Sequence, residues 1–430
     1  MTIEQLYSFF QQYPIITTDS RRCPPGSIFF ALKGDSFDGN DYIEQVLQAG
    51  AAYAVGDRKN LPENDRIIPV ENTLQTLQAL ANFHRKQMNA VVIAITGTNG
   101  KTTTKELMAA TLSSQYSTLY TQGNLNNHIG VPLTLLQLKP EHRFAIIEMG
   151  ANHPGEIREL CLIAEPDYGL ITNVGKAHLE GFGSFEGVIR TKTELYDFLR
   201  AKNGTVFANW DNSILNGFNR DLSTVYYGTT SDALIHGRTL QSEPALVMEW
   251  EKGAKKHKIA THLAGSYNLE NVLAAICVAD YFEVESENIN QAIQNYVPTN
   301  NRSQSQETGK NKLIVDAYNA NPSSMQAALD NFLALAVHPK MVILGEMREL
   351  GIYSREEHEK IVRRLAQSSI ENVFLVGESF QKVENTPMNW NIFSKTDELI
   401  EYLQTNPIAG YHILVKGSRN NQLEKTIPYL

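Results

Sequence analysis

The hydrophobic residues of this chain fall into short, nearly unbroken apolar runs, separated by stretches with helical spacing. Residues 91–95, VVIAI, contain no polar side chain, as expected of a parallel strand buried on both faces. Similar runs at 27–32, 52–55, 144–149, 168–174 and 205–208 predict further strands, and the spacing at 74–88 and 269–282 predicts helices beside them. Between 225 and 263 the pattern changes to short alternating segments, ALIHGRTL, ALVMEW and KHKIATHL, which predict an antiparallel meander attached to the parallel sheet. The stretch 298–312, PTNNRSQSQETGKNK, is rich in turn residues and reads as a linker or mobile loop. Beyond it strand and helix alternate to the end: KLIVDAY, SMQAALDNFLALA, KMVILGEM, SREEHEKIVRRLAQ, NVFLVG, TDELIEYLQ, YHILVKGS.

The expected fold is therefore α/β with three domains. Residues 1–88 form a small mixed α/β domain. Residues 89–298 form a central P-loop-type parallel sheet with an antiparallel extension, and 299–430 a C-terminal doubly wound, Rossmann-like domain. A length of 430 residues gives each its own core.

Composition narrows the class. The chain is 42% hydrophobic and 20% charged, with no apolar run long enough to span a bilayer, so no membrane insertion is expected. The start, MTIEQLYSFFQQ, has no basic cluster ahead of its apolar residues, which argues against a secretory signal and for a cytoplasmic address. A net charge of −9 argues against a nucleic-acid surface. Cys23, Cys161 and Cys277 are isolated, with no C-x-x-C, and predict neither a disulfide framework nor a thiolate metal site.

The chemistry is concentrated in TGTNGKTT, which follows the strand at 91–95. Gly97 and Gly100 lack Cβ, so the turn through Thr98 and Asn99 can bend tightly and aim its N–H groups at phosphate oxygens. Lys101 supplies a mobile positive charge, Thr102 a hydroxyl for the Mg²⁺ that travels with ATP, and Thr103 continues into a helix whose positive end faces the same place. The spacing is G-x-x-G-K-T; Ile95 stands where the usual G-x-x-x-x-G-K-[ST] has its first glycine. Glu148 ends a buried strand where a metal-binding carboxylate would lie.

Seven further segments occur in order: GNLNNHIGVPLTLL (123–136), EMGANHPGEI (148–157), ITNVGKAHLEGFGS (171–184), GSYNLENVLAAICVA (265–279), DAYNANPSSMQAAL (316–329), LGEMRELG (344–351) and KGSR (416–419), with GTNGKTTTKE ahead of them. Together they resemble the Mur ligases across all three blocks. DAYNANP and LGEMRELG favour, within that family, a member joining D-alanyl-D-alanine to UDP-N-acetylmuramoyl-tripeptide in peptidoglycan precursor synthesis. A monomer is expected.

The resemblance implies site residues. Lys101, Glu148, His178 and Lys192 are the catalytic set. Thr102 and Glu148 would hold one Mg²⁺, while His178 and Lys192, the latter as a carbamate formed with CO₂, would hold a second. Asn268 and Asn271 would lie on the adenine side, although Tyr267 stands where relatives often have His. Arg302 would reach the ATP phosphates and Asp316 the ribose. Asn126 and Asn127 would orient the substrate near the γ-phosphate. Ser20, Arg21 and Gly34 would contact the uridine and diphosphate. Asn319, Asn321, Glu346 and Arg348 would hold the dipeptide, with Glu346 where many relatives carry Asp. Two alternatives remain: a folylpolyglutamate synthase-like ligase of the same superfamily, and a nucleotide-gated binding protein without ligase activity.

Overall fold

The computed structural model describes residues 1–242, 244–370 and 372–430. The chain divides into two compact units. The first comprises Met1–Ile95, Tyr116–Ala151 and Glu156–Gly169, and the second Thr96–Gln115, Asn152–Gly155 and Leu170–Leu430.

In the first unit, the helix Ile3–Gln12 starts at a reciprocal cap between Thr2 and Gln5. Four parallel strands, Ile16–Thr17, Ile28–Phe30, Tyr53–Gly56 and Ile67–Pro69, then lie side by side in chain order. Phe29, Ala31 and Ala54 pack against Ile43, Val46 and Leu47, from the helix Ile43–Gln48 and the residues around it. Only the central pair was legible in the sequence, because Ile16–Thr17 is two residues long and Ile67–Pro69 ends in proline. The strand Val91–Thr96 pairs in parallel with Phe144–Glu148, which pairs with Thr118–Tyr120. The helix Thr73–Gln87, capped by Asn72, precedes the first of these. Its buried His84 is bonded on one ring nitrogen to the Tyr7 hydroxyl at 3.1 Å and on the other to the Leu138 carbonyl at 2.9 Å.

In the second unit, the strands Thr205–Asn209 and Ser223–Gly228 are parallel, and Ile235–Gln241 continues that sense over two register pairs, Tyr227–Ile235 and Gly228–His236. Among the described residues of this block, Ile235–Gln241, Val247–Lys252 and Lys255–Ala260 form the antiparallel part. The expected meander from 225 onward is thus corrected at its start: alternation reports a half-buried strand but not the direction of its neighbour. The six-stranded sheet runs in the order Gln304–Glu307, Lys312–Asp316, His412–Lys416, Lys340–Gly345, Asn372–Val376, Asn391–Phe393. All its pairs are parallel except the first.

That first pair corrects a second expectation. Half of the supposed linker is a hairpin in which Gln304–Glu307 lies antiparallel to Lys312–Asp316. The segment QSQE has no apolar residue because it is an edge strand whose side chains are half-buried or exposed. Insertion of the last strand, His412–Lys416, between Lys312–Asp316 and Lys340–Gly345 makes a topological switch point, so the loops at these strand ends are the natural ligand site.

Candidate nucleotide and substrate site

The phosphate turn takes the conformation its glycines permit. Gly97 has φ +142° and Gly100 φ +79°, both in territory that side-chain-bearing residues rarely enter. Space forbids a side chain as well: a Cβ on Gly97 would lie 2.0 Å from the Thr172 hydroxyl, and one on Gly100 2.4 Å from Asn271 Oδ1. Gly100 precedes the helix Lys101–Ser113, whose opening residues Thr102, Thr103 and Thr104 are buried. Lys101 Nζ donates to the carbonyls of Gly97 at 2.7 Å and Thr98 at 3.1 Å, so the charge rests on the turn itself.

Residues 172–175 hold the turn from the side. Asn99 N–H donates to Asn173 Oδ1 at 3.0 Å, and the Asn99 carbonyl accepts from the Thr172 hydroxyl at 2.6 Å and Asn173 Nδ2 at 3.1 Å. Thr98 N–H donates to the Asn173 carbonyl, and Gly175 N–H to the Thr98 hydroxyl, both at 2.9 Å. Asn271 and Asn268 are buried and joined into one chain. Thr104 Oγ1 donates to Asn271 Oδ1 at 3.0 Å, Asn271 Nδ2 to Asn268 Oδ1 at 2.9 Å, and Asn268 Nδ2 to the Ala264 carbonyl at 2.8 Å. Asn268 therefore does not cap its helix. Tyr267 bonds the Ser303 hydroxyl at 3.1 Å, and burial pushes its phenol well above the ordinary range.

Residues from the C-terminal sheet meet the same turn. Asn321 caps the helix Pro322–Ala334 by accepting from Ser324 N–H at 2.8 Å, while its Nδ2 donates to Asn99 Oδ1 at 2.9 Å. Ser323 accepts from Lys176 N–H at 2.8 Å, and Lys176 Nζ reaches the buried Glu357 at 3.0 Å. His178, with φ +49°, bonds through Nδ1 to the carboxylate of Glu349, with φ +60°, and that bond holds the Glu349 carboxyl below the usual range. Lys192 is 2% exposed, with its ammonium 5.5 Å from the centre of the Phe182 ring.

Other expected residues are engaged as follows. Asp316 pairs with the buried Lys416, which also donates to the Asn319 carbonyl at 3.3 Å. Asn319 Oδ1 accepts from Ala320 N–H at 2.9 Å. Glu346 accepts from the Ser379 N–H and hydroxyl and pairs with Arg348 at 2.8 Å. Burial works against the Glu346 carboxylate, but these partners outweigh it and its pKa falls below the ordinary value. In the first unit, Glu148 is 1% exposed and accepts from Asn126 Nδ2 at 2.8 Å. Asn127 Oδ1 accepts from the N–H groups of Ile129 and Gly130, which is a turn-forming role. Ser20 opens a short turn in which exposed Arg21 forks onto Asp19 at 2.9 and 3.0 Å. Gly34 donates to the Phe37 carbonyl, and a Cβ there would strike the Phe37 ring at 2.5 Å.

Among the described residues, no three His, Cys, Asp or Glu side chains form a ready metal site. The Thr102 hydroxyl and the Glu148 carboxylate are hard oxygen donors of the kind magnesium takes. Sequence reading passed over Thr104, Thr172, Ser323, Glu349 and Tyr318. It also missed His358, whose Nε2 accepts from Met347 N–H at 3.0 Å while Nδ1 bonds the Ser354 carbonyl at 2.7 Å, fixing the loop that carries Glu346 and Arg348. The signal available for several of them was adjacency to a recognised motif residue.

Known proteins show the same organisation. The Mur ligase family catalytic domain matches residues 12–85, the Mur ligase middle domain 95–279, and the Mur ligase glutamate ligase domain 301–419. The UDP-N-acetylmuramoyl-tripeptide--D-alanyl-D-alanine ligase of Bacillus subtilis (strain 168) is 32% identical over 422 residues, spanning 96% of this chain and 92% of that protein. Its Escherichia coli (strain K12) counterpart is 34% identical over 440 residues, with the same coverage. MurF from Acinetobacter baumannii superposes with a TM-score of 0.86 at 30% identity, covering 99% of this chain and 97% of that one. MurF ligase from Thermotoga maritima in complex with ADP gives 0.85 at 28% identity over 97% of each chain. Three matched domains in chain order and near-full-length similarity establish that this chain belongs to the Mur ligase family and has its three-domain α/β fold.

Proposed function

We propose that this chain is the ATP-dependent ligase that joins D-alanyl-D-alanine to UDP-N-acetylmuramoyl-tripeptide, working as a cytoplasmic monomer in peptidoglycan precursor synthesis. The observation that carries the reading is the phosphate turn, whose glycines hold positive φ and whose lysine sits at its mouth. Near-full-length likeness to the ligases of that activity from Bacillus subtilis and Escherichia coli supports the substrate assignment. The domain limits follow the sequence reading: 1–88 for the UDP substrate, 89–298 for ATP and 299–430 for the dipeptide.

In this reading the tripeptide carboxylate attacks the γ-phosphorus of ATP and ADP leaves. The dipeptide amine then attacks the acyl phosphate carbon, loses a proton, and expels inorganic phosphate. Both steps gather negative charge, so positioning and cations dominate. Lys101 and Arg302 serve the phosphates, Asn268 and Asn271 the adenine side, and Asp316 the ribose. Asn126 and Asn127 orient the substrate, and Ser20, Arg21 and Gly34 serve the uridine diphosphate. Asn319, Asn321, Glu346 and Arg348 serve the dipeptide. Thr102, Glu148, His178 and a carbamate on Lys192 would hold Mg²⁺, which would supply charge neutralisation on the phosphates.

The test is ADP release with UDP-N-acetylmuramoyl-tripeptide, with and without D-alanyl-D-alanine. Release that requires both substrates is expected. Amine-independent turnover would favour the nucleotide-gated binding protein, and turnover with a folate and glutamate the other branch of the superfamily. Lys101→Ala is expected to abolish ligation while UDP-substrate binding, measured by calorimetry, stays near normal; near-normal turnover in that variant refutes the phosphate-turn assignment.

A further inference from the structure

The sequence motif KGSR has no role in the reading above, yet its arginine converges with two other segments on one aromatic ring. The guanidinium of Arg302 lies over Tyr318, 3.8 Å from the ring centre, and that of Arg419 is 5.6 Å from the same centre. Tyr318 follows the strand Lys312–Asp316 and Arg419 follows the neighbouring parallel strand His412–Lys416, with Asp316 and Lys416 in register. The three side chains thus gather at the C-terminal ends of adjacent strands, beside the switch point of the sheet.

Two guanidiniums drawn to one ring repel each other, and the nearby acids do not quench both. Asp316 is already taken by the buried Lys416, and Arg419 is met by Glu424 only at 3.4 Å with its side chain 61% exposed. Arg302 Nε is buried and has no hydrogen-bond partner among the described residues. A guanidinium held by an aromatic ring spends none of its N–H donors in that contact, which leaves its fork for a planar or tetrahedral oxyanion. A buried donor without an acceptor is the counterpart such an anion would satisfy.

We propose that Tyr318 is a positioning residue that braces Arg302 and Arg419 as a paired clamp for one oxyanion of the reaction. The chemistry admits two sources, a phosphate of the nucleotide or the terminal carboxylate of the incoming dipeptide. The proposal rests on the ligase reading, and it adds Arg419 as a binding residue and the ring as the device that sets the spacing of the two arginines.

The test uses the full chain with Tyr318→Phe, Tyr318→Leu, Arg419→Ala and, as a control, Lys101→Ala. ATP binding is measured by titration calorimetry, and KM is measured for ATP and for D-alanyl-D-alanine. Tyr318→Phe keeps the ring and should behave as the parent. Tyr318→Leu and Arg419→Ala should each weaken the same ligand by about tenfold, with less than additive effects when combined. A rise confined to ATP identifies the phosphate, and one confined to the dipeptide identifies the carboxylate. Parent-like affinity for both ligands in Arg419→Ala, an exposed position that leaves folding intact, overturns the clamp. Should Lys101→Ala lose ATP while the clamp variants keep both ligands, the clamp alone fails. Should Lys101→Ala keep ATP while the clamp variants lose a ligand, the phosphate-turn reading fails and the clamp stands.

Discussion

Replacing Gly97 by alanine tests whether the turn is built for phosphate or merely tolerates glycine. At φ +142° a side chain incurs backbone strain of about 1–3 kcal/mol. The added methyl would also sit 2.0 Å from Thr172 Oγ1, so that hydroxyl must move. Its 2.6 Å bond to the Asn99 carbonyl is then lost, a further ~0.5–1.5 kcal/mol. The sum, about 1.5–4.5 kcal/mol, opposes the binding-competent turn and should weaken nucleotide binding by roughly 12- to 1,600-fold. Thr172→Ala alone removes only the hydrogen bond and should cost about 1 kcal/mol. Titration calorimetry with ADP reads both variants, and thermal unfolding checks that each remains folded. Affinity in Gly97→Ala within about threefold of the parent, a change of under 1 kcal/mol, would refute the argument.

Three other outcomes are expected. Lys192→Ala should lose most ligase activity and regain part of it with added acetate, since a short carboxylate can stand in for carbamate oxygens, whereas Lys192→Arg should stay inactive; full activity in Lys192→Ala without additive would make the lysine a packing residue. In a double-mutant cycle on nucleotide affinity, Asn99→Ala and Asn321→Ala should couple by about 0.5–1.5 kcal/mol; strict additivity would mean their 2.9 Å bond does not link the turn to the C-terminal helix. Burial acts to raise the Asp38 carboxyl, but the Asn40 amide and N–H and the Arg58 guanidinium outweigh it and bring its pKa down to about 2. A depressed folded pKa contributes stability above the unfolded value and loses it as the folded pKa is crossed, so the urea-unfolding gap between parent and Asp38→Asn should shrink from about pH 6 to about pH 2.5; an unchanged gap would defeat the assignment.

Several features were written in local sequence. The strand Val91–Thr96 was legible because five consecutive apolar residues leave no wet face. The tight turn at 97–100 was legible because its two glycines take positive φ, and the strand ending at Glu148 because its residues form an apolar run. The family was legible because motifs recur in order across all three blocks. Hydropathy could not show the edge strand Gln304–Glu307, which needs no apolar side chain, or the parallel sense of Ser223–Gly228 with its neighbours, since alternation encodes a buried face and not a partner.

Only the folded chain decided what the site residues touch. Gly97 is obligatory partly because Thr172 approaches it, and Asn321 reaches Asn99 from 222 positions away. Asn268 bonds back to the Ala264 carbonyl and, through Asn271, to the helix that follows the turn. Tyr318 gathers Arg302 and Arg419 from three separate segments. Local sequence determines which backbone conformations and which buried faces are affordable to each segment. The partners of a polar side chain are set by which distant segments the sheet order brings to the same strand ends, and that order is a property of the whole packed chain.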